Sequence, residues 1–240
     1  MVLFILKKED KNMAKVFLNA GHGGSDPGAV AYGMKEKAIN LQILLACATE
    51  LMRHDVDVVT SRTKDEDDPL VQVVKDANAS KADVAVSFHT NASKYHNGDG
   101  SETYYHSGSA NGKRLAQLCE KYTKAIGQNS RGIKAGDGLY FIRATNMVAV
   151  LCECAFIDHD KDNDIIDTVA EQQAFGVAYA KAILEYLGIA YQAPTPAAPA
   201  PSTSGKLHRV QVGAYGVKAN AEAMQKKLKA AGFEAIIVEV

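Results

Sequence analysis

From about residue 14 to residue 190, short apolar runs rich in β-branched residues alternate with longer segments of helical periodicity. KVFLN reads as a strand, followed by a helix from about Lys35 to Arg53. VDVVTS is the next strand, and the next helix lies near 69–80. DVAVSFH and ETYYH are strands, a helix runs from about Asn111 to Gly127, VAVLCECAF is a further strand, and a last helix lies near 171–187. Strands that alternate with helices predict an α/β fold, here a mostly parallel twisted sheet with helices on both faces. The C-terminal segment repeats the pattern on a smaller scale. LHRVQVGAY alternates as a strand, Ala219, Ala223, Leu228 and Ala231 recur at helical spacing near 218–231, and FEAIIVEV closes a small C-terminal βαβ unit. A unit of that size rarely supports a core alone, so it needs a partner.

The run APTPAAPAPSTSG over 193–205 carries no apolar periodicity, and its Pro/Ala composition makes a semi-extended linker. The expected organisation is an N-terminal extension over 1–13, a main domain over 14–190, a Pro/Ala linker over 191–205 and a small segment over 206–240. Met13, which opens MAKVFLNAGHGG, reads as a second start.

Composition removes several function classes. A chain of 240 residues with 47% hydrophobic and 23% charged residues is a folded, water-soluble protein with ample material for a core. Lys plus Arg (27) against Asp plus Glu (28) leaves a net charge of −1, so no basic field favours nucleic acid. The apolar start MVLFIL is far shorter than the ~20 residues of a membrane span, and its basic residues follow rather than precede it, unlike a secretory signal. The expectation is synthesis in the cytoplasm without a signal peptide. Cys47, Cys119, Cys152 and Cys154 form no C-x-x-C pair, which favours reduced thiols, with Cys47 and Cys119 as core residues. His54, His159 and His208 read as solvated, and His96 and His106, which flank the segment after His89, as residues placed to line the cleft but not as ligands.

Candidate chemistry gathers at strand ends. The first strand runs into AGHGGSDPGA, whose glycines let the backbone turn tightly around His22. That loop lacks both the G-x-x-x-x-G-K-[ST] and the G-x-G-x-x-G spacing of nucleotide sites. In a parallel sheet His22 lies just past the first strand, and the loop delivers Glu36 to the opening turn of the following helix. In DVAVSFH, Val84, Val86 and Phe88 face one way and Ala85, Ser87 and His89 the other, and His89 ends the strand. All three side chains reach the rim where open α/β sheets bind ligands. Two imidazoles and one carboxylate with a position left open suit a catalytic zinc. In VLCECAF, Cys152 and Cys154 share one face and Glu153 takes the other. A carboxylate in so apolar a strand is either half of a buried salt bridge or a general base with a raised pKa beside the metal.

AGHGGSDPGA, EKAINL, DANASKADVAVSFHTNA, GSETYYH, RGIK and VAVLCECAFIDHDKD, in that order, resemble the zinc-dependent N-acetylmuramoyl-L-alanine amidases of the amidase_3 type over about residues 14–188. The resemblance implies an α/β fold and hydrolysis of the amide between the lactyl group of N-acetylmuramic acid and the L-alanine of the peptidoglycan stem, by a zinc-hydroxide mechanism. By motif position it places the zinc ligands on His22, Glu36 and His89 and the catalytic glutamate on Glu153. The chain departs from the family where an arginine is usual and Val73 stands, with Lys75 as its substitute, and where a proline is usual and Val148 stands. VQVGAYGVKANAEAMQKKLKAAGFEAIIVEV resembles half of a SPOR domain, a peptidoglycan-binding βαββαβ module. Half a module implies wall binding or a homodimer through 206–240 that rebuilds the sheet. A wall hydrolase without a leader reaches its substrate after lysis or through a holin pore, as an endolysin or an autolysin. A zinc peptidase acting on stem or cross-bridge peptides, and a non-catalytic wall-binding protein, are the alternatives.

Overall fold

The alternation of side chains along the central strands gives one sheet two different cores. The computed structural model describes residues 13–194, 218–230 and 237. In chain order these residues form β1 (Lys15–Ala20), β2 (Val30–Ala31), β3 (Met34–Lys35), α1 (Glu36–Met52), β4 (Asp57–Thr60), α2 (Leu70–Ser80) and β5 (Val84–Asn91). There follow β6 (Ser101–Tyr105), α3 (Ala110–Ala125), β7 (Ser130–Ala135), α4 (Tyr140–Ala144), β8 (Val148–Phe156), α5 (Asp160–Asn163), α6 (Val169–Leu187) and α7 (Lys218–Ala230). The chain divides into two compact units after Ala193.

Six strands make one sheet in the order β4-β1-β5-β8-β6-β7, and β2 and β3 form a separate hairpin. The four strands β4, β1, β5 and β8 are mutually parallel. Strand β6 runs antiparallel to β8, and β7 runs parallel to β6. On one face Val16, Leu18, Val86, Phe88, Val150 and Cys152 pack with Ile43 of α1, Leu115 of α3 and Phe175 and Tyr179 of α6. On the other, Phe17, Ala85, Ala149 and Leu151 pack with Val73, Val74 and Ala77 of α2 and Phe141 and Ile142 of α4. Burying these apolar side chains is the main drive to the fold, at roughly 1.5–3 kcal/mol for each large residue.

The helices start and stop where local chemistry dictates. Thr168 accepts the N–H of Glu171 while the Glu171 carboxylate accepts the N–H of Thr168, a capping box that opens α6, and Gly188 at φ 73° closes it. Ser109 caps α3 by accepting from the N–H of Gly112 at 2.9 Å.

The expected mostly parallel sheet with helices on both faces is the observed one. The strand β7 and the short helices α4 and α5 carry no period long enough to read. SRGIKA also holds Gly132 at φ 81° beside a register shift in its pairing, so it lacks clean alternation. The cysteines are all buried and unbridged. Two histidines depart from the solvated reading. His54 is buried, donates from Nδ1 to the Glu50 carbonyl (2.8 Å), accepts the Gln192 N–H at Nε2 (2.9 Å) and stacks on Tyr191. His159 is half-buried. His208, the extension before Met13 and, apart from Ile237, both expected strands of the C-terminal βαβ unit lie outside the described residues, whereas the expected helix there is α7.

Gly176 lies where α6 packs tightly on α1: a Cβ there would lie 2.5 Å from the Ile43 carbonyl oxygen and 2.6 Å from the Ala46 Cβ. Helix propensity alone favours Ala over Gly by about 0.8–1 kcal/mol. Gly176→Ala is expected to reverse that sign and lower unfolding stability by roughly 1–3 kcal/mol, as overpacking does, read from urea denaturation.

Candidate active site

His22 follows β1, Glu36 opens α1 and His89 sits near the C-terminal end of β5. The structure brings these three together, with one ligand atom from each within 4.8 Å of the others. Glu36 is the hub. Its Oε2 lies 3.2 Å from His22 Nε2 and accepts the Ala29 N–H at 2.9 Å. Its Oε1 lies 3.0 Å from His89 Nδ1 and accepts the Thr90 N–H at 3.0 Å and Asn40 Nδ2 at 3.2 Å. Burial would raise the Glu36 carboxyl, but the two imidazoles and the Ala29 N–H hold it well below the usual carboxylate range. The hydrogen bond to Glu36 raises His22 to about 9 against the opposing effect of burial, with Asp26 adding to the rise.

The loop that carries His22 is tied down from several sides. Its Asp26 accepts from His22 Nδ1 at 2.8 Å, which leaves Nε2 directed at Glu36. Carboxylate partners of this kind fix the tautomer and orientation of a ligand histidine. His22 itself has φ 64°, a left-handed conformation that a β-carbon makes unfavourable. Asp65 accepts the Gly24 N–H at 2.8 Å and Asp67 the Ser25 N–H at 2.7 Å. Arg62, only 2% exposed, donates to the carbonyls of Ala20 (3.0 Å), Gly21 (3.4 Å), Lys37 (2.7 Å) and Lys64 (3.2 Å). One guanidinium thus laces the end of β1 to the first turn of α1. Gly21 is a steric requirement, because a Cβ there would lie 2.1 Å from Cε1 of His89.

Glu153 of β8 is the register partner of His89 across β5, and its carboxylate lines the same cleft of about 630 Å³ as His22 and His89. Its Oε2 is buried with no hydrogen-bond partner. Burial, with the charges on Glu36 and Glu102 adding to it, pushes the carboxyl up to about 7 against the lowering effect of His89 and His22. Glu102, the partner of Glu153 across β6, is only 3% exposed. It accepts from Tyr104 Oη (2.5 Å), Asn91 Nδ2 (3.2 Å) and Arg131 Nε (2.7 Å), and from Lys134 Nζ. The RGIK segment therefore neutralises the carboxylate next to Glu153. The rest of the cleft has an apolar wall that includes Tyr104, Leu139, Tyr140 and Leu70 and a polar one that includes Asp26, Asp67 and Asp68.

Residues 16–185 match the family model Amidase_3, described as N-acetylmuramoyl-L-alanine amidase. The chain belongs to this family. It is 31% identical over 230 residues to the N-acetylmuramoyl-L-alanine amidase CwlM of Bacillus licheniformis, covering 94% of this chain and 85% of that one. An endolysin of Bacillus phage SPP1 is 40% identical over 177 residues, covering 68% and 64%. Among solved structures, the catalytic domain of the amidase CwlV from Bacillus (Paenibacillus) polymyxa var. colistinus superposes with a TM-score of 0.69 at 35% identity, covering 74% of this chain and all of that one. A SPOR domain model matches residues 176–239. The start of that match falls on α6, whose Tyr179 and Ile183 lie in the core of the first unit.

As an Amidase_3 domain, the chain presents a donor set that fits zinc: two imidazoles and a carboxylate, converging and already oriented by Asp26, Asn40 and backbone N–H groups. His96 pairs with Asp158 (2.9 Å) and His106 with Asp137 (3.5 Å), and neither lines the cleft. Val73, which replaces the usual arginine, lines the cleft wall, while Lys75 is exposed and lines none of it. Sequence reading passed over Asp26, Asn40, Arg62 and Glu102. For Asp26 and Asn40 a signal was present, since each lies four residues after a proposed ligand, His22 and Glu36.

Gly21→Ala is expected to turn the His89 ring away from Glu36 while the sheet stays folded. Imidazole ¹⁵N chemical shifts that leave the hydrogen-bonded pattern, with an unchanged far-UV spectrum, would record it; an unmoved His89 would show that the loop, not the ring, gives way.

Proposed function

We propose that this Amidase_3 chain hydrolyses the amide between the lactyl group of N-acetylmuramic acid and the L-alanine of the peptidoglycan stem, with zinc held by His22, Glu36 and His89 and with Glu153 as proton carrier. The observation that carries the reading is the pairing of two unlike carboxylates beside the same two cleft-lining histidines: Glu36 kept ionised among imidazoles, and Glu153 raised to about 7 with a buried oxygen and no partner. When bound, zinc supplies the Lewis acidity that makes water a nucleophile near neutral pH and polarises the scissile carbonyl. Glu153 then accepts a proton from the attacking water at its carboxylate and hands it to the departing alanine nitrogen, so the amide C–N bond breaks to give a free acid and a free amine. A base whose pKa lies near the working pH is suited to both transfers. Asp26 holds the His22 ring in register through Nδ1, and Asn40 and the N–H groups of Ala29 and Thr90 hold Glu36. Tyr104, Leu139 and Tyr140 offer apolar surface to the sugar ring and peptide and exclude water from the bond being cut.

Glu153→Gln keeps the volume and loses the basicity. Zinc content and melting temperature are expected to stay near wild type while turnover on purified walls falls by about 10²-fold or more. His22→Ala and His89→Ala are expected to lose zinc and activity together. New amino ends must belong to L-alanine; ends on another residue would make the enzyme a peptidase. Loss of folding in Glu153→Gln, with unchanged activity per folded molecule, would assign Glu153 to structure instead.

The chain organisation that fits this activity is a catalytic domain over 14–190, a linker over 191–205 and a SPOR-like segment over 206–240 that engages peptidoglycan and pairs two chains. The pairing rests on size. Its sequence pattern is that of one βαβ half, and a two-fold interface between two such halves would complete a four-stranded sheet. For a truncation, Ala193 is the better end point, because Gln192 still bonds His54 through its N–H and Arg53 through its carbonyl. The full chain is expected to be a dimer by light scattering, and the chain ending at Ala193 a monomer that still cleaves soluble muropeptides. A monomeric full chain would remove the pairing.

A further inference from the structure

A second set of metal-ligand groups lies apart from the cleft, where the loop between β5 and β6 meets the turn after β8. Asp99, His159 and Asp162 each offer one ligand atom, and these atoms lie within 4.8 Å of one another. None of the three lines the cleft that holds His22, His89 and Glu153. Asp162 is 1% exposed, and its Oδ2 accepts the N–H groups of Phe156 (2.6 Å) and Gly100 (2.9 Å). Burial raises its carboxyl above the usual range, and the charge of Asp99 adds to the rise. Among the described residues no lysine or arginine forms an ion pair with either carboxylate.

The histidine is what sets this group apart from an ordinary acidic turn. His159 Nδ1 is buried and has no hydrogen-bond partner, and the same is true of Oδ1 of the adjacent Asn163. Nor does His159 form an ion pair with Asp99 or Asp162, although all three converge. A ring nitrogen shut away from water ordinarily finds a donor or an acceptor. Here one ring nitrogen lacks a partner while the imidazole converges with two carboxylates whose charges oppose each other. A single divalent cation answers both deficits: it takes the lone pair of the imidazole and neutralises the acidic pair.

We propose that Asp99, His159 and Asp162 form a second divalent-cation site, structural rather than catalytic, for a first-row transition ion of the zinc or manganese type. The donor set gives the class. An imidazole beside two carboxylates suits zinc or manganese, whereas calcium and magnesium favour oxygen donors alone. The ion would pin the loop that leads away from the β5 end, and thus from His89, to the turn that follows the Glu153 strand. That clasp joins segments distant in sequence through groups the hydrolytic chemistry does not use.

The test uses the full chain, stripped by chelator and titrated with Zn²⁺ or Mn²⁺ under equilibrium dialysis, with stoichiometry as the readout. Wild type is expected to bind about two equivalents. The double variant Asp99→Asn/His159→Gln is expected to bind about one and to lose most of the metal-dependent rise in melting temperature; Asp162 is left intact because it also caps backbone N–H groups. The double variant His22→Ala/His89→Ala is expected to keep about one equivalent. One equivalent in wild type that disappears in His22→Ala/His89→Ala and survives in Asp99→Asn/His159→Gln would overturn the second site and leave the cleft site standing. The reverse pattern would overturn the cleft site alone. Two equivalents that neither double variant reduces would also overturn the assignment to Asp99 and His159. Circular dichroism of the stripped variants guards against reading misfolding as lost metal.

Discussion

A buried carboxylate has to have its oxygens occupied, and Glu36 imposes that requirement on everything around it. Removing an ionised group from water costs several kcal/mol unless charge and hydrogen bonds replace the lost solvation. At Glu36 the replacement comes from three separate parts of the chain: the loop after β1, the helix α1 itself, and the end of β5. Each has to arrive at the right distance, which explains several otherwise unrelated features. Gly21 makes room for the His89 ring, and His22 accepts a left-handed backbone. Gly28 at φ 64° lets the loop pass within contact of both His22 and Glu36. Arg62 supports the tight turn by donating to the carbonyls of Ala20 and Gly21, the latter shared with Asn40.

The same alternation that builds the core also delivers the chemistry. On β5, Val84, Val86 and Phe88 serve the thick layer under α1, α3 and α6, while Ala85 faces the thin layer under α2 and α4. Two residues on from Ser87, His89 emerges at the strand end on the thin side, where Asn19, Ser87 and Glu153 also line the cleft. The thin layer is built from short elements, and α4 has only five residues. It therefore leaves the strand ends uncovered on that side, while the thick layer closes the other face.

Legibility in the sequence followed the range of the interactions. The positions of His89 and Glu153 on their strands were readable because period-two alternation is local, and the faces of Cys152 and Cys154 followed from the same rule. The convergence of His22, Glu36 and His89 required only the assumption of a parallel sheet, which β1, β5 and β8 satisfy. What escaped was non-local or short. No local pattern says that β6 reverses against β8, or that SRGIKA pairs at the edge around a glycine. His54 was misread because its neighbours MRHD look like a solvated helix end; the burial comes from Tyr191 and Gln192, more than a hundred residues away. Arg62 carried no motif, since its partners are backbone carbonyls and any sequence supplies those.

Two glutamates of one site end in opposite states, and the difference lies in their partners rather than in burial. Both are removed from water, which by itself raises each carboxyl. Glu36 meets imidazoles and backbone N–H groups and stays ionised. Glu153 meets charges of both signs, His89 and His22 lowering its carboxyl and Glu36 and Glu102 raising it, so burial prevails, and its Oε2 finds no donor. The cations that would relieve it, Arg131 and Lys134, are committed to Glu102. Glu102 in this way holds both cations, and neither forms a salt bridge with Glu153. Pairs of titratable groups whose environments push their pKa values apart are how acid and base roles are divided within one site, and here the division is written into which strand each carboxylate shares with which partner.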